Sequence, residues 1–160
     1  MNSLIFAALA LMSASAMAGA GGRTMNSVSE QVHVETARGR AIVWLVVENH
    51  GKQPVYVPKA VYEDDELIAP VFDIREARTG RQIEYVGRKV KRGPITRDDY
   101  VQVKPGAKKA NSIDITSSYD FLAGEHPYKL TFPGSFVTDL AQLDTAARLP
   151  VMPASFIFRK

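Results

Sequence analysis

From Val28 onward, apolar residues recur mostly at every second position, which is the period of a β-strand with one buried face. Val28, Val32 and Val34 fall on one face of such a strand, while His33 falls on the other. Residues 41–47 (AIVWLVV) form a continuous apolar run rich in β-branched side chains. That run predicts a central strand buried on both faces.

Turn residues divide the rest of the chain into short segments. Gly80 lies between the apolar segments 71–75 and 82–90, and its ability to adopt a positive φ predicts a hairpin there. Lys104-Pro105-Gly106 suits a type II turn. Further strands are predicted at residues 112–116, 128–132 and 155–158.

About eight short strands separated by Gly and Pro turns indicate an all-β protein. We expect one domain over residues 28–160, an immunoglobulin-like antiparallel β-sandwich. Residues 139–148 (DLAQLDTAAR) are predicted to form a helical turn or two, which Pro150 would end. Two aromatic residues are expected to be structural: Trp44 as an anchor of the core, and Tyr119 as the corner tyrosine of such sandwiches.

The first 18 residues carry no charged side chain, and their apolar run at residues 4–12 is too short to span a bilayer. Ala16-Met17-Ala18 supplies the small residues that a signal peptidase requires. These features predict a signal peptide at residues 1–18, cleaved after Ala18 or, as a second choice, after Ala20. Residues 19–27 are expected to be a disordered segment, and the mature protein to be secreted or periplasmic and not inserted in a membrane.

Composition excludes several classes of function. The chain has no cysteine, so it has neither disulfides nor a thiolate metal site. The net charge of +3 favours acidic partners weakly and is far from the composition of a nucleic-acid-binding protein.

Catalytic and metal-binding motifs are also missing. His33, His50 and His126 are far apart in the sequence, and none belongs to an HExxH motif, so surface histidines are a better interpretation than a zinc site. The acidic run 63–66 lacks the interspersed turn residues of a calcium loop and is expected to be a solvated loop. With no G-x-S-x-G motif, we predict a protein that is not an enzyme and has no catalytic, cofactor or metal site.

One basic cluster needs an explanation. Arg88, Lys89, Lys91 and Arg92 surround Val90 within a segment that reads as a strand. On a strand, Arg88 and Val90 would point one way and Lys89 and Lys91 the other, so the charges would not form one stripe. Two interpretations stay open. The charges either keep an edge strand from pairing with other chains, or they bind a partner with an acidic pocket.

Three longer motifs lie within about residues 43–132: VENHGKQPVYV, then FDIREARTGRQIEYVGRKVKRGPITRDDYVQVKPG, then IDITSSYDFLAGEHPYKLTF. Together they resemble the N-terminal pro-region of the deuterolysin (aspzincin) metallopeptidases, a family that includes the peptidyl-Lys metalloendopeptidases. The family's catalytic domain carries HExxH, which this sequence lacks. The resemblance therefore implies a pro-domain without its enzyme.

Such pro-regions occupy the active-site cleft of the enzyme and assist its folding. The resemblance implies a secreted or periplasmic inhibitor or folding chaperone of a zinc metalloendopeptidase, acting by non-covalent occupation of the cleft. Arg88, Lys89, Lys91 and Arg92 would fill the acidic subsite of a peptidase that prefers Lys. A generic periplasmic or surface module for binding or assembly, with no peptidase partner, is the alternative.

Export is directly testable. Signal-peptide cleavage should leave Gly19, or with the second site Gly21, as the first residue of the exported protein. Mass spectrometry of the protein from the periplasm or culture medium measures this. Recovery of the chain there with Met1 intact would contradict the prediction.

Overall fold

The computed structural model describes residues 27–160, so the predicted signal peptide and almost all of the segment after it lie outside the described residues. The strands are β1 (Val28–Ala37), β2 (Arg40–Asn49), β3 (Val55–Pro58), β4 (Asp73–Glu76), β5 (Tyr100–Val103), β6 (Lys108–Asp114), β7 (Glu125–Thr131), β8 (Gly134–Phe136), β9 (Ala147–Leu149) and β10 (Ala154–Arg159). One short helix, α1 (Lys59–Tyr62), follows β3, and 3-10 turns lie at Arg97–Asp99 and Leu143–Thr145. No helix in residues 27–160 is long and apolar enough to cross a membrane.

The strands form antiparallel sheets. One three-stranded sheet has the order β1-β2-β6 and another the order β10-β7-β4, while β3 pairs with β5 and β8 with β9. Buried side chains from both three-stranded sheets belong to one hydrophobic core. The all-β prediction is therefore confirmed.

Strand β2 shows how the sequence builds this core. Its side chains alternate strictly, with Ala41, Val43, Leu45 and Val47 fully buried and the residues between them half-buried. The prediction of burial on both faces is wrong, because only one face of this sheet meets the core. β-branched residues suit the half-exposed face as well, since they pack against neighbouring strands on the pleated surface.

Trp44 lies on that outer face, so its predicted role as a core anchor is wrong. Its ring stacks on His33 of β1, with the ring centroids 6.2 Å apart. The indole N–H donates to Glu35 Oε2 at 3.2 Å. A cross-strand aromatic pair of this kind stabilises the β1–β2 hairpin rather than the interior.

Both predicted turns are present. Gly106 has a φ of +71°, and the Ala107 N–H donates to Lys104 O at 3.0 Å, as a type II turn requires. Gly80 has a φ of +72° at the tip of the predicted hairpin. The second arm of that hairpin is not a strand, however, and the prediction of a strand over residues 82–90 is wrong. Only isolated bridges form there, from Gln82 to Arg75 and from Tyr85 to Tyr119.

The predicted helical segment at residues 139–148 is only partly helical. It contains the single 3-10 turn Leu143–Thr145, and β9 begins directly afterwards at Ala147. Of the predicted turn or two, only this one turn forms, because the segment has no buried face: Val137 before it and Leu149 after it are buried, and no residue of the 3-10 turn is.

Tyr119 has the structural role expected of it. Its side chain is buried, its hydroxyl donates to Phe72 O at 2.8 Å, and the Phe72 N–H donates to the hydroxyl at 3.1 Å. Phe72 precedes β4, and the Tyr119 hydroxyl makes the hydrogen bonds to its backbone that a neighbouring strand would otherwise make. One side chain thus satisfies both backbone groups of a buried residue.

Replacing Tyr119 with Phe should lower the free energy of unfolding by about 1–3 kcal/mol, because it leaves the Phe72 N–H and C=O buried without partners. Urea unfolding measures the change. Tyr56→Phe is the matched control, since the Tyr56 hydroxyl only accepts an exposed hydrogen bond from Gln102 at 3.3 Å. Equal, small losses in both variants would contradict the structural role of the Tyr119 hydroxyl.

Candidate partner-binding loop

The four basic residues lie on an irregular segment of residues 86–96, here named the basic loop. It runs from the Tyr85 bridge to the 3-10 turn that precedes β5, and every residue from 88 to 98 is exposed. Because the loop is not a strand, its charges do not protect a sheet edge. The edge-protection interpretation therefore loses its physical basis at this place in the fold.

The first end of the loop is fixed by Tyr85. The buried Tyr85 hydroxyl lies 2.7 Å from the Arg88 carbonyl oxygen and 3.0 Å from that of Leu67, and shares its proton between them. Its ring packs edge-on against Tyr119 with centroids 5.3 Å apart. Gly87 allows this arrangement, since a Cβ at that position would lie 2.8 Å from the Tyr85 ring. A side chain at position 87 would collide with the Tyr85 ring, so the path of the loop depends on glycine at this position.

The other fixed points are backbone and turn contacts. The Val90 N–H donates to Ile68 O at 3.0 Å. At the far end, Thr96 and Asp99 form a capping box, in which the Thr96 N–H donates to Asp99 Oδ2 at 2.8 Å. This hydrogen bond holds the pKa of Asp99 below its usual value. A loop held at both ends presents its side chains in a restricted set of positions.

The four cations differ in their surroundings. Arg92 lies 3.4 Å from Asp99 and 3.9 Å from Asp64, so two carboxylates of its own chain already neutralise it. Arg88, Lys89 and Lys91 make no ion pair within residues 27–160. These three side chains are available to a partner, and Arg92 is better described as part of the loop's support.

Exposed aliphatic residues lie among and on either side of these cations in the loop, a feature that sequence reasoning missed. Val86 is 55% exposed, Val90 41% and Ile95 65%. Outside the loop, the only other large hydrophobic residues exposed in residues 27–160 are Met152 and Ile157. The loop thus carries most of the exposed large apolar side chains in the described chain.

Two clefts border the loop. A cleft of about 300 Å³ is lined by Lys89 together with Pro70 and the two bridged tyrosines. A second, of about 340 Å³, is lined by Arg88 with the carboxylates of Glu66 and Asp114. Arg88 and Lys89 therefore face different surroundings, and a partner would have to contact both sides of the loop.

The histidines and the acidic run have ordinary surface contacts. His50 Nε2 lies 3.0 Å from Ser29 Oγ, and His126 is in β7. Glu63 of the acidic run pairs with Lys109 at 3.0 Å. Within the described residues, no three His, Cys, Asp or Glu side chains are placed to hold a metal ion together.

A buried carboxyl elsewhere was not predicted from the sequence. Glu30 lies on the inward face of β1, is 7% exposed and receives a hydrogen bond from the Tyr62 hydroxyl of α1. Its other oxygen, Oε2, has no hydrogen-bond partner within residues 27–160 and lies against Gly134, where any Cβ would overlap it. Burial raises the pKa of Glu30 to about 7, an effect that the Tyr62 hydrogen bond only partly offsets. The alternation Val28-x-Glu30-x-Val32 is the signal that could have revealed it.

No model of a known protein family matches the chain, and no curated protein sequence matches it either. The likeness to metallopeptidase pro-regions therefore depends on the motifs alone.

The buried carboxyl predicts a specific dependence of stability on pH. The unfolded chain releases the Glu30 proton near pH 4.5 and the folded chain near pH 7, so the folded state binds more protons between these values. The free energy of unfolding should therefore fall as pH rises through this window, by about 3 kcal/mol from this residue. In Glu30→Gln the fall should be absent.

Urea unfolding at several pH values between 4 and 8 checks this. Glu35→Gln is the matched control on the same strand. Because Glu35 is exposed, this replacement should leave the wild-type dependence of stability on pH unchanged. A wild-type and a Glu30→Gln profile that run parallel would contradict a buried, protonated Glu30.

Proposed function

We propose that this protein binds a zinc metalloendopeptidase through the basic loop and acts as its inhibitor or folding chaperone by occupying the active-site cleft. The observation that carries the proposal is the loop itself. It has three cations with no ion pair in residues 27–160 and three exposed aliphatic side chains, on a segment held at both ends. The motif resemblance supplies the class of partner. The mature protein is secreted or periplasmic in this proposal.

The mixture of charge and apolar surface supports a protein as the partner. An acidic subsite would pair with Arg88, Lys89 or Lys91, while Val86 and Ile95 would bury apolar area against the walls around it. Nucleic acids fit this surface poorly, since single-stranded bases need aromatic rings to stack on. The loop's exposed hydrophobic residues are all aliphatic, and Tyr85 is buried.

The loop's backbone supports occupation of a cleft. Residues 91–95 make no backbone hydrogen bond within the described chain. Their C=O groups, and the N–H groups of all but Pro94, are therefore free to pair with a partner in extended form. The fixed ends reduce the conformational entropy that binding would cost, which is the advantage of a preorganised loop over a flexible tail.

We infer an immunoglobulin-like sandwich as the scaffold of this loop. Two three-stranded antiparallel sheets that share one core, and a corner tyrosine at Tyr119, support that topology. Loops at the end of a sandwich are placed by rigid sheets, which makes them suited to recognition.

Charge reversal tests the proposal. The variant Arg88→Glu, Lys89→Glu, Lys91→Glu should bind a purified peptidyl-Lys metalloendopeptidase at least about 30-fold more weakly, since losing charge-assisted contacts in a desolvated cleft costs about 2–5 kcal/mol. Arg92 is left unchanged, because a Glu there would repel Asp64 and Asp99 and alter the loop. Calorimetric titration or inhibition of peptide cleavage measures binding.

The control variant carries the same net charge: Lys52→Glu, Lys104→Glu, Lys129→Glu, all exposed and outside the loop. It should bind like wild type. If the wild-type protein fails to bind the peptidase, a generic binding module is the better interpretation of its function. Equal weakening by both variants would show attraction by net charge and contradict recognition by the loop.

A further inference from the structure

The basic loop has a held part and a free part. In the held part, the Arg88 carbonyl accepts a hydrogen bond from Tyr85 and the Val90 N–H donates to Ile68. In the free part, residues 91–95, no backbone group has a hydrogen-bond partner within residues 27–160. All of these residues are exposed.

Endopeptidases bind their substrates as extended segments and therefore need backbone groups that are not already paired. Exposed loops without regular structure meet this need, whereas strands and tight turns must first unfold. An endopeptidase with an acidic specificity pocket also needs Lys or Arg immediately before the bond to be cut. Only Lys91 and Arg92 in the loop satisfy both conditions. The ion pairs of Arg92 with Asp64 and Asp99 are exposed and must break before its side chain enters such a pocket.

We propose that the peptide bonds after Lys91 and Arg92 form a processing site for a serine endopeptidase of trypsin-like specificity. Hydrolysis adds one water molecule across the bond, leaving a carboxylate on Lys91 or Arg92 and an amine on Arg92 or Gly93. No oxidant, metal or cofactor takes part. Pro94 does not block the cut, because it is not the residue directly after either bond.

The neighbouring basic residues are protected by the fold. The Arg88–Lys89 bond contains the carbonyl that Tyr85 holds, and the Lys89–Val90 bond contains the nitrogen that is bonded to Ile68. Residues 88–92 contain four basic residues. The bonds after Lys91 and Arg92 are therefore cleavable, and the bonds after Arg88 and Lys89 are protected.

The cut would open the loop without separating the two halves of the chain. β1 to β4 lie before it and β5 to β10 after it, yet β2 pairs with β6, β3 with β5 and β4 with β7. The core is likewise shared between the halves. If the proposed function holds, cleavage ends partner binding irreversibly, because it frees one end of the loop that presents the cations.

Limited digestion of the native protein with trypsin tests the site. The first cut between Ser27 and Arg159 should follow Lys91 or Arg92, as identified by the masses of the two fragments. The cut protein should elute from size exclusion at the volume of the intact chain. Exposed basic residues in tight turns, such as Arg38 and Arg78, should be cut much more slowly.

Matched variants make the test sharper. Lys91→Gln, Arg92→Gln should slow the first cut at least about tenfold, whereas Arg88→Gln, Lys89→Gln should leave its rate unchanged. A first cut after Arg88, Lys89 or any residue outside the loop would overturn the proposal, as would fragments that separate on the column. These readouts do not involve the metallopeptidase, so failure of the proposed function would leave them unaffected.

Discussion

Two buried tyrosine hydroxyls hold the part of the molecule that has no regular sheet. Tyr119 satisfies both backbone groups of Phe72, and Tyr85 satisfies the carbonyl of Arg88. Buried backbone groups need partners, and here side chains supply them where no strand is adjacent. The two rings also pack edge to face, so the core and the exposed loop share one support. The position of the basic loop depends on this contact more than on any sheet.

The sequence predicted most of the sheets because their residues alternate in burial along the strands. It could not predict that residues 82–90 form no strand, since Ile83 and Tyr85 continue the alternation and are indeed buried. Whether a strand forms there depends on a neighbour to pair with, which is a property of the tertiary fold. Gly87, placed where the Tyr85 ring passes, was the one local sign of irregular backbone.

The residue types of the candidate site could be predicted from the sequence, but their arrangement in space could not. The cluster of cations is visible in the sequence. The ion pairs that neutralise Arg92 are not, because they join it to Asp64 and Asp99, which only the fold brings near. Trp44 shows the same limit: its position in an apolar run could not reveal which face of β2 meets the core. Periodicity gives relative directions of side chains, and only the packing of the sheets decides which direction is inward.

The contact between Glu30 and Gly134 links two residues that are distant in sequence. Any side chain at position 134 would occupy the volume of the Glu30 carboxyl, so the two positions cannot vary independently. Among proteins that share this fold, a residue larger than glycine at 134 should occur together with a shorter residue at 30. The two positions would then show correlated substitution in related sequences, because β1 and β8 approach each other closely at this point.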